Sequence, residues 1–231
     1  MRCSYFVALA AVLSGVVAMT AVSAQAEDQF KWTGFYIGAN AGGSSGNSSM
    51  DFTASQNGPC FNCGDLPLGL SGGLAGGHIG YQQQVGALVL GLEGSYDWSS
   101  IKGSQNADNR TIPRVDEVNV SSLATINARV GVANGRWLGY ATGGWATADV
   151  TANESRANRF DVSGKAQHSG WDAGGGLEYA ATNSVVVGIE YTHVDLGTAS
   201  HQLDFSPRVF DVFDVHSTLD VVKGRLSWKI N

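Results

Sequence analysis

Five side chains carry most of the charge chemistry of this sequence: Glu93, Glu178 and Glu190 as acceptors, Arg129 and Arg225 as forked donors. Gathered away from water, such groups either close into an ion-pair network or line a path for ions, because a buried carboxylate without a partner is costly. Cys60 and Cys63, with Phe61 and Asn62 between them, offer a second chemistry. In an exported chain they read as a loop disulfide. Gly58-Pro59 ahead of them gives no helix N-terminus to activate a thiol, and no second cysteine pair or spaced histidine pair completes a zinc site. His78, His168, His193, His201 and His216 lack ligand spacing. His168, His201 and His216 fall in or beside polar stretches, where they either meet solvent or offer nitrogen to haem iron. His168-Ser169 and His216-Ser217 are neighbours in sequence, and adjacent strand residues point to opposite faces, which is wrong for a nucleophile and its base. The expectation is a protein that is not an enzyme, with no catalytic residue, no metal site and no cofactor.

The elements that must position these groups begin with an export signal. Arg2 precedes an apolar stretch from Tyr5 to Met19, and Ala24-Gln25-Ala26 is a small-x-small cleavage pattern, so residues 1–26 are expected to be a cleaved signal peptide and 27–231 a single domain. Beyond Ala26 no apolar run approaches the roughly 20 residues of a membrane-crossing helix. Glycine is abundant, 31 of 231 residues, with only four prolines and a net charge of −6. The acidity and the lack of a Lys/Arg cluster set nucleic-acid binding aside. A closed β-barrel is the other structure that satisfies its backbone in hydrocarbon.

From Trp32 onward the sequence alternates in eight segments. Leu88, Leu90, Leu92, Tyr96 and Trp98 share one face, with Val89, Gly91, Glu93, Ser95 and Asp97 on the other. Similar pairs of faces recur around Phe35 to Gly42, Gly73 to Gln82, Ala124 to Val132, Trp171 to Tyr179, Val185 to Thr192 and Val221 to Ile230, while the phase of the fifth segment, Trp137 to Val150, stays open. Gln83 to Gly86, Ala133 to Arg136 and Ala181 to Ser184 read as tight turns, with Asn134-Gly135 a hairpin signal. The other four links, Ser44 to Leu70, Ser99 to Val118, Thr151 to Gln167 and Thr198 to Asp214, read as long polar loops and contain every proline. Trp32, Tyr81, Trp137, Tyr140, Tyr179 and Trp228 toward the turns, and Tyr96, Trp98 and Trp171 toward the loops, suggest two interfacial aromatic belts. The expected fold is all-β: an eight-stranded antiparallel transmembrane up-and-down barrel with short periplasmic turns and long extracellular loops.

In that barrel the glycine-rich face points inward, and eight strands leave an interior that side chains fill. Glu93, Glu178 and Glu190 are then expected to accept from Arg129 and Arg225 inside, with Lys223 and Lys229 nearer the ends. The network reads first as a structural plug and second as an ion path.

The ordered blocks Trp32-Thr33-Gly34-Phe35-Tyr36-Ile37-Gly38, Gly77-His78-Ile79-Gly80-Tyr81-Gln82, Leu90-Gly91-Leu92-Glu93-Gly94, Ala128-Arg129-Val130-Gly131, Gly170-Trp171-Asp172-Ala173-Gly174-Gly175-Gly176-Leu177-Glu178-Tyr179, Ile189-Glu190-Tyr191 and Lys223-Gly224-Arg225-Leu226-Ser227-Trp228-Lys229 resemble the small porin-like outer-membrane β-barrel proteins of alphaproteobacteria. That family includes surface antigens and haemin-binding proteins, and its architecture is similar to the membrane domain of OmpA. The resemblance implies a Gram-negative cell outer membrane as the location. It implies outer-membrane lipid, lipopolysaccharide and the barrel-assembly machinery as partners, with haemin or host surface molecules beside them. Family members usually end on an aromatic residue, whereas this sequence ends Trp228-Lys229-Ile230-Asn231, and the Cys60/Cys63 pair is a second departure. The expected function is a structural, surface-exposed barrel supporting envelope integrity and host contact. A narrow pore or haemin transporter is the first alternative, and a soluble periplasmic ligand-binding barrel the second.

Overall fold

The computed structural model describes residues 30–55, 66–109, 112–156, 160–206 and 209–230. The expected signal peptide, its cleavage after Ala26 and the Cys60/Cys63 disulfide lie outside the described residues. Eight strands follow in sequence: β1 (Gly34–Ser55), β2 (Leu66–Val85), β3 (Leu88–Asn109), β4 (Ile112–Asn134), β5 (Trp137–Arg156), β6 (Phe160–Ala180), β7 (Val185–Ser206) and β8 (Val209–Ile230). Each pairs antiparallel with the next and β8 returns to β1, closing the barrel. The β2–β3 and β4–β5 links are two-residue hairpins in which Gly86 (φ 63°) and Gly135 (φ 58°) take the left-handed conformation that such turns demand.

Outward side chains form a band of large apolar residues, among them Phe35, Ile37, Ile79, Leu90, Leu92, Ile126, Val130, Leu177, Ile189 and Leu226, all exposed. Exposing these in water would be unfavourable, and hydrocarbon is the solvent that suits them. Phe35, Tyr81, Trp137, Tyr179 and Trp228 ring the band on the side of the tight turns, and Tyr96, Trp98, Trp145, Trp171 and Tyr191 ring it on the other. Two residues expected in the turn-side belt are elsewhere. Trp32, 1% exposed, and Tyr140, 8% exposed, point into the barrel. Trp145 joins the outer ring because β5 turns Trp137, Ala141 and Trp145 outward and Leu138, Tyr140, Thr142 and Ala146 inward.

The four long loops are a correction. β-Structure runs through most of those segments, so the strands are 20 to 23 residues long where about 10 suffice to cross a membrane. A 22-residue strand tilted by about 40° spans ~55 Å, against an apolar band of about 25 Å. The excess lies wholly beyond the outer ring, because the opposite end closes in tight turns. There the pleat continues but its chemistry inverts. Leu68, Leu70, Ile101, Val118, Val120, Val150, Val215 and Leu219 face inward, while Ser71, Ser100, Lys102, Ser104 and Ser121 face out. Above the bilayer the outer surface meets water, so the apolar-out pattern expected of a spanning strand reverses to apolar-in. Pro67 and Pro113 sit second in β2 and β4, at strand starts where a missing N–H is tolerated.

Candidate functional site

The inward faces of all eight strands meet in a lumen packed in three layers. At the turn end, the segment preceding β1 folds into the mouth. The Trp32 backbone N–H donates to Gln84 Oε1 at 2.9 Å, the Trp32 indole donates to the Gly135 carbonyl at 3.4 Å, and Phe30 packs edge-on against Trp32 with ring centroids 4.8 Å apart. Val89, Ala133, Leu138, Ala180 and Val186 complete this apolar layer.

The middle layer is ionic. Arg129 Nη1 lies 3.0 Å from Glu93 Oε2 and its Nη2 2.8 Å from Glu178 Oε1. Arg225 Nη1 lies 2.9 Å from both Glu93 Oε1 and Glu190 Oε2, and Arg225 Nε lies 3.4 Å from Glu178. The structure thus brings together all five residues singled out in the sequence, from β3, β4, β6, β7 and β8, and each is at most 7% exposed. Two tyrosines extend the network: Tyr36 donates to Glu93 at 2.8 Å and accepts from Arg129 at 2.8 Å, and Tyr140 donates to Glu190 at 2.7 Å. The Arg129 guanidinium also stacks 3.8 Å from the Tyr140 ring centroid, a cation–π contact. Lys223, expected nearer the end, bridges Asp97 and Glu190 at 3.5 Å each. Asn40 donates to Asp97, Asn127 donates to Asp172 at 2.6 Å, and His78 pairs with Ser227 at 2.8 Å.

Asp97 stood four residues from Glu93 on the same face, so period-two counting alone could have enrolled it. Tyr36 shared the glycine-rich face of its segment with Gly38 and Asn40, so the same counting placed it inward, whereas Tyr140, in the segment of open phase, looked like a belt tyrosine. Asn127 Oδ1 and Asp172 Oδ1, without protein partners, border a cavity of about 10 Å³, room for a single water.

The third layer, toward the exterior, is largely apolar: Leu74, Ile101, Leu123, Ala146, Val194, Leu196 and Leu219 are 5% exposed or less, with the buried polar side chains of His168, Ser48 and Ser217 among them. The histidines are dispersed. His78 faces the lumen, His168 is buried in the outer layer, and His193 lies on the outside wall 2.8 Å from Asp220. His216 lies outside, 3.9 Å from Asp195. The His201 side chain is outside the described set. His168 and Ser169 point to opposite faces, as do His216 and Ser217.

These features agree with comparisons to known proteins. Residues 14–212 match the model of the outer membrane protein beta-barrel domain. The 31 kDa outer-membrane immunogenic protein of Brucella melitensis is 31% identical over 207 residues, covering 80% of this chain and 86% of that protein. The 25 kDa outer-membrane immunogenic protein of Brucella abortus is 29% identical over 129 residues, covering 56% of this chain and 54% of that protein. Among solved structures, outer membrane protein OprG from Pseudomonas aeruginosa superposes with a TM-score of 0.54 at 7% identity, covering 87% of this chain and 98% of that one. The outer membrane protease OmpT from Escherichia coli gives 0.54 at 11% identity, covering 85% and 97%. At such identities these two likenesses concern the fold alone. With its apolar band, its closed antiparallel barrel and a family match over most of its length, the chain belongs to the outer membrane protein β-barrel domain family and resides in the outer membrane.

Proposed function

We propose that this protein is a non-conducting structural barrel that carries a rigid, water-facing cylinder well beyond the outer leaflet and presents it to the exterior, and that it is not an enzyme. The observation that carries this reading is the layered lumen: an ionic centre held between two apolar layers, one of them closed by Trp32 and Phe30. Ion paths need continuous water or exchangeable polar ligands, and the turn-side layer closed by Trp32 and Phe30 supplies neither. The strand excess above the membrane supports the display role, since a hydrogen-bonded wall holds a surface in place better than loops do. Two relatives are named as immunogenic outer-membrane proteins, which supports a surface reached from outside the cell.

Envelope support follows from the same design, as a sealed barrel adds mass to the membrane without adding a leak. Planar-bilayer recording of purified, refolded protein tests the reading. Silence across applied voltages is expected, and stepwise conductance from heat-modifiable, folded protein would overturn it in favour of a narrow pore.

A further inference from the structure

The buried charges of the lumen do not balance. Among the described residues, Glu93, Asp97, Asp172, Glu178 and Glu190 stand against Arg129, Lys223 and Arg225, an excess of two negative charges with His78 and His168 neutral. The two arginines are engaged by Glu93, Glu178 and Glu190, and Lys223 is shared between Asp97 and Glu190 at 3.5 Å each. Asp172, 2% exposed, accepts on Oδ2 from the neutral amide of Asn127 at 2.6 Å. Its Oδ1 has no protein partner, and neither has Oδ1 of Asn127, itself 8% exposed.

Both residues border the cavity of about 10 Å³, whose wall also holds Thr125, Thr192 and Glu190. Two acceptors at one void call for a donor or a cation. A water molecule would donate to both and leave the charge excess in place. A cation answers both needs, and buried charge without a counter-charge is costly. The chemistry of the wall selects the ion. Carboxylate, amide and hydroxyl oxygens are ligands of hard cations, and no three His, Cys, Asp or Glu side chains converge among the described residues to suit a transition metal. Calcium carries the two charges that are lacking and accepts irregular oxygen geometry, whereas magnesium keeps several waters that a cavity of this size does not admit.

We propose that the cavity between β4, β6 and β7 holds one calcium ion, ligated by Asp172 Oδ1 and Asn127 Oδ1. It lies where the ionic layer meets the outer layer, beside Leu123, Val194 and Val221. The ligands come from separate strands, so no local spacing in the sequence marks them. The ion adds an occupant to the sealed lumen, and because conductance and calcium retention are separate measurements, this proposal and the non-conducting reading fail independently.

The test is calcium-45 retention by protein refolded in detergent free of lipopolysaccharide, with unbound ion removed by gel filtration and heat-modifiable migration confirming folding of every variant. Wild type should retain one calcium per folded barrel, and magnesium in excess should not displace it. Asp172→Asn should lower the occupancy by roughly tenfold or more. In chelator that variant should unfold at a higher urea concentration than wild type, since it lacks an uncompensated charge, and in calcium the order should reverse. Asp214→Asn, at an outer-wall aspartate bonded by Ser200 at 2.6 Å, should retain calcium as wild type does. Folded wild type without calcium, and with one urea midpoint in calcium and in chelator, overturns the proposal and leaves the cavity to water or a proton. Unchanged retention in folded Asp172→Asn, loss of calcium in Asp214→Asn, or displacement by magnesium also overturns it, as each would mark binding at the surface.

Discussion

Replacing Arg225 by methionine removes the side chain that ties three strands to β8 through Glu93, Glu178 and Glu190. The guanidinium is almost wholly buried, so water does not substitute for it without opening the lumen. Five buried carboxylates, Glu93, Asp97, Asp172, Glu178 and Glu190, would then face two buried cations, Arg129 and Lys223. Stranding a buried charge in this way costs about 3 to 5 kcal/mol. With a urea slope of about 2 kcal/mol per molar, a loss of about 4 kcal/mol lowers the unfolding midpoint by about 2 M. Tryptophan fluorescence of protein refolded into lipid vesicles, scored in parallel by the fraction that migrates as folded on an unboiled gel, measures that shift. Adding Glu93→Gln to Arg225→Met removes one of the stranded carboxylates and should recover part of the loss, whereas independent effects would simply add. A midpoint within about 0.5 M of wild type in the single variant would refute the reasoning, because it would mean that the ionic layer fills space without holding strands together.

Three further outcomes are expected. Ile126→Arg, in the middle of the apolar band, should destabilise the folded barrel by about 2 to 4 kcal/mol, while Ser121→Arg, five residues farther along the same strand, should stay within about 0.5 kcal/mol; vesicle refolding titrations compare them. Gly144→Ala should cost about 1 to 3 kcal/mol by the same assay, since its Cβ would fall 2.1 Å from the Ile126 carbonyl, whereas Gly94→Ala should be close to neutral. In a background without Cys60 and Cys63, Ser121→Cys should react with a membrane-impermeant maleimide on intact cells and Ala87→Cys, in the β2–β3 turn, should not; the reverse result would invert the topology.

The inverted chemistry above the membrane also leaves the outer surface of this protein free to change. Within the bilayer both faces of each strand are constrained, outward by lipid and inward by the ionic layer. In the extramembrane cylinder the inward residues are mostly apolar core, and outward positions such as Ser71, Ser104 and Ser121 are exposed. Substitutions there should alter recognition with little effect on stability.

Much of this protein could be read from residue order alone. Alternation with period two assigned seven of the eight membrane-crossing strands their two faces, and Asn134-Gly135 located a hairpin, because strand geometry ties side-chain direction to parity and left-handed turns to glycine. The positions of Glu93, Glu178, Glu190, Arg129 and Arg225 on the inward face followed from the same counting. The extramembrane wall escaped it. In the described part of Ser99 to Val118 the outward residues Ser100, Lys102 and Ser104 are polar, so the stretch resembled a loop, although Ile101, Val118 and Val120 already alternated with polar residues in the opposite sense. The phase of β5 escaped for a related reason: its inward Leu138, Tyr140, Ala146 and Val150 serve the two apolar layers, so neither face looked distinctively polar. Which arginine meets which glutamate, and that Trp32 and Tyr140 belong inside rather than in a belt, depended on closure. Parity says which side of the wall a residue occupies, but its partners across the lumen are set by the stagger of eight strands around the barrel, and that exists only once β8 has paired with β1.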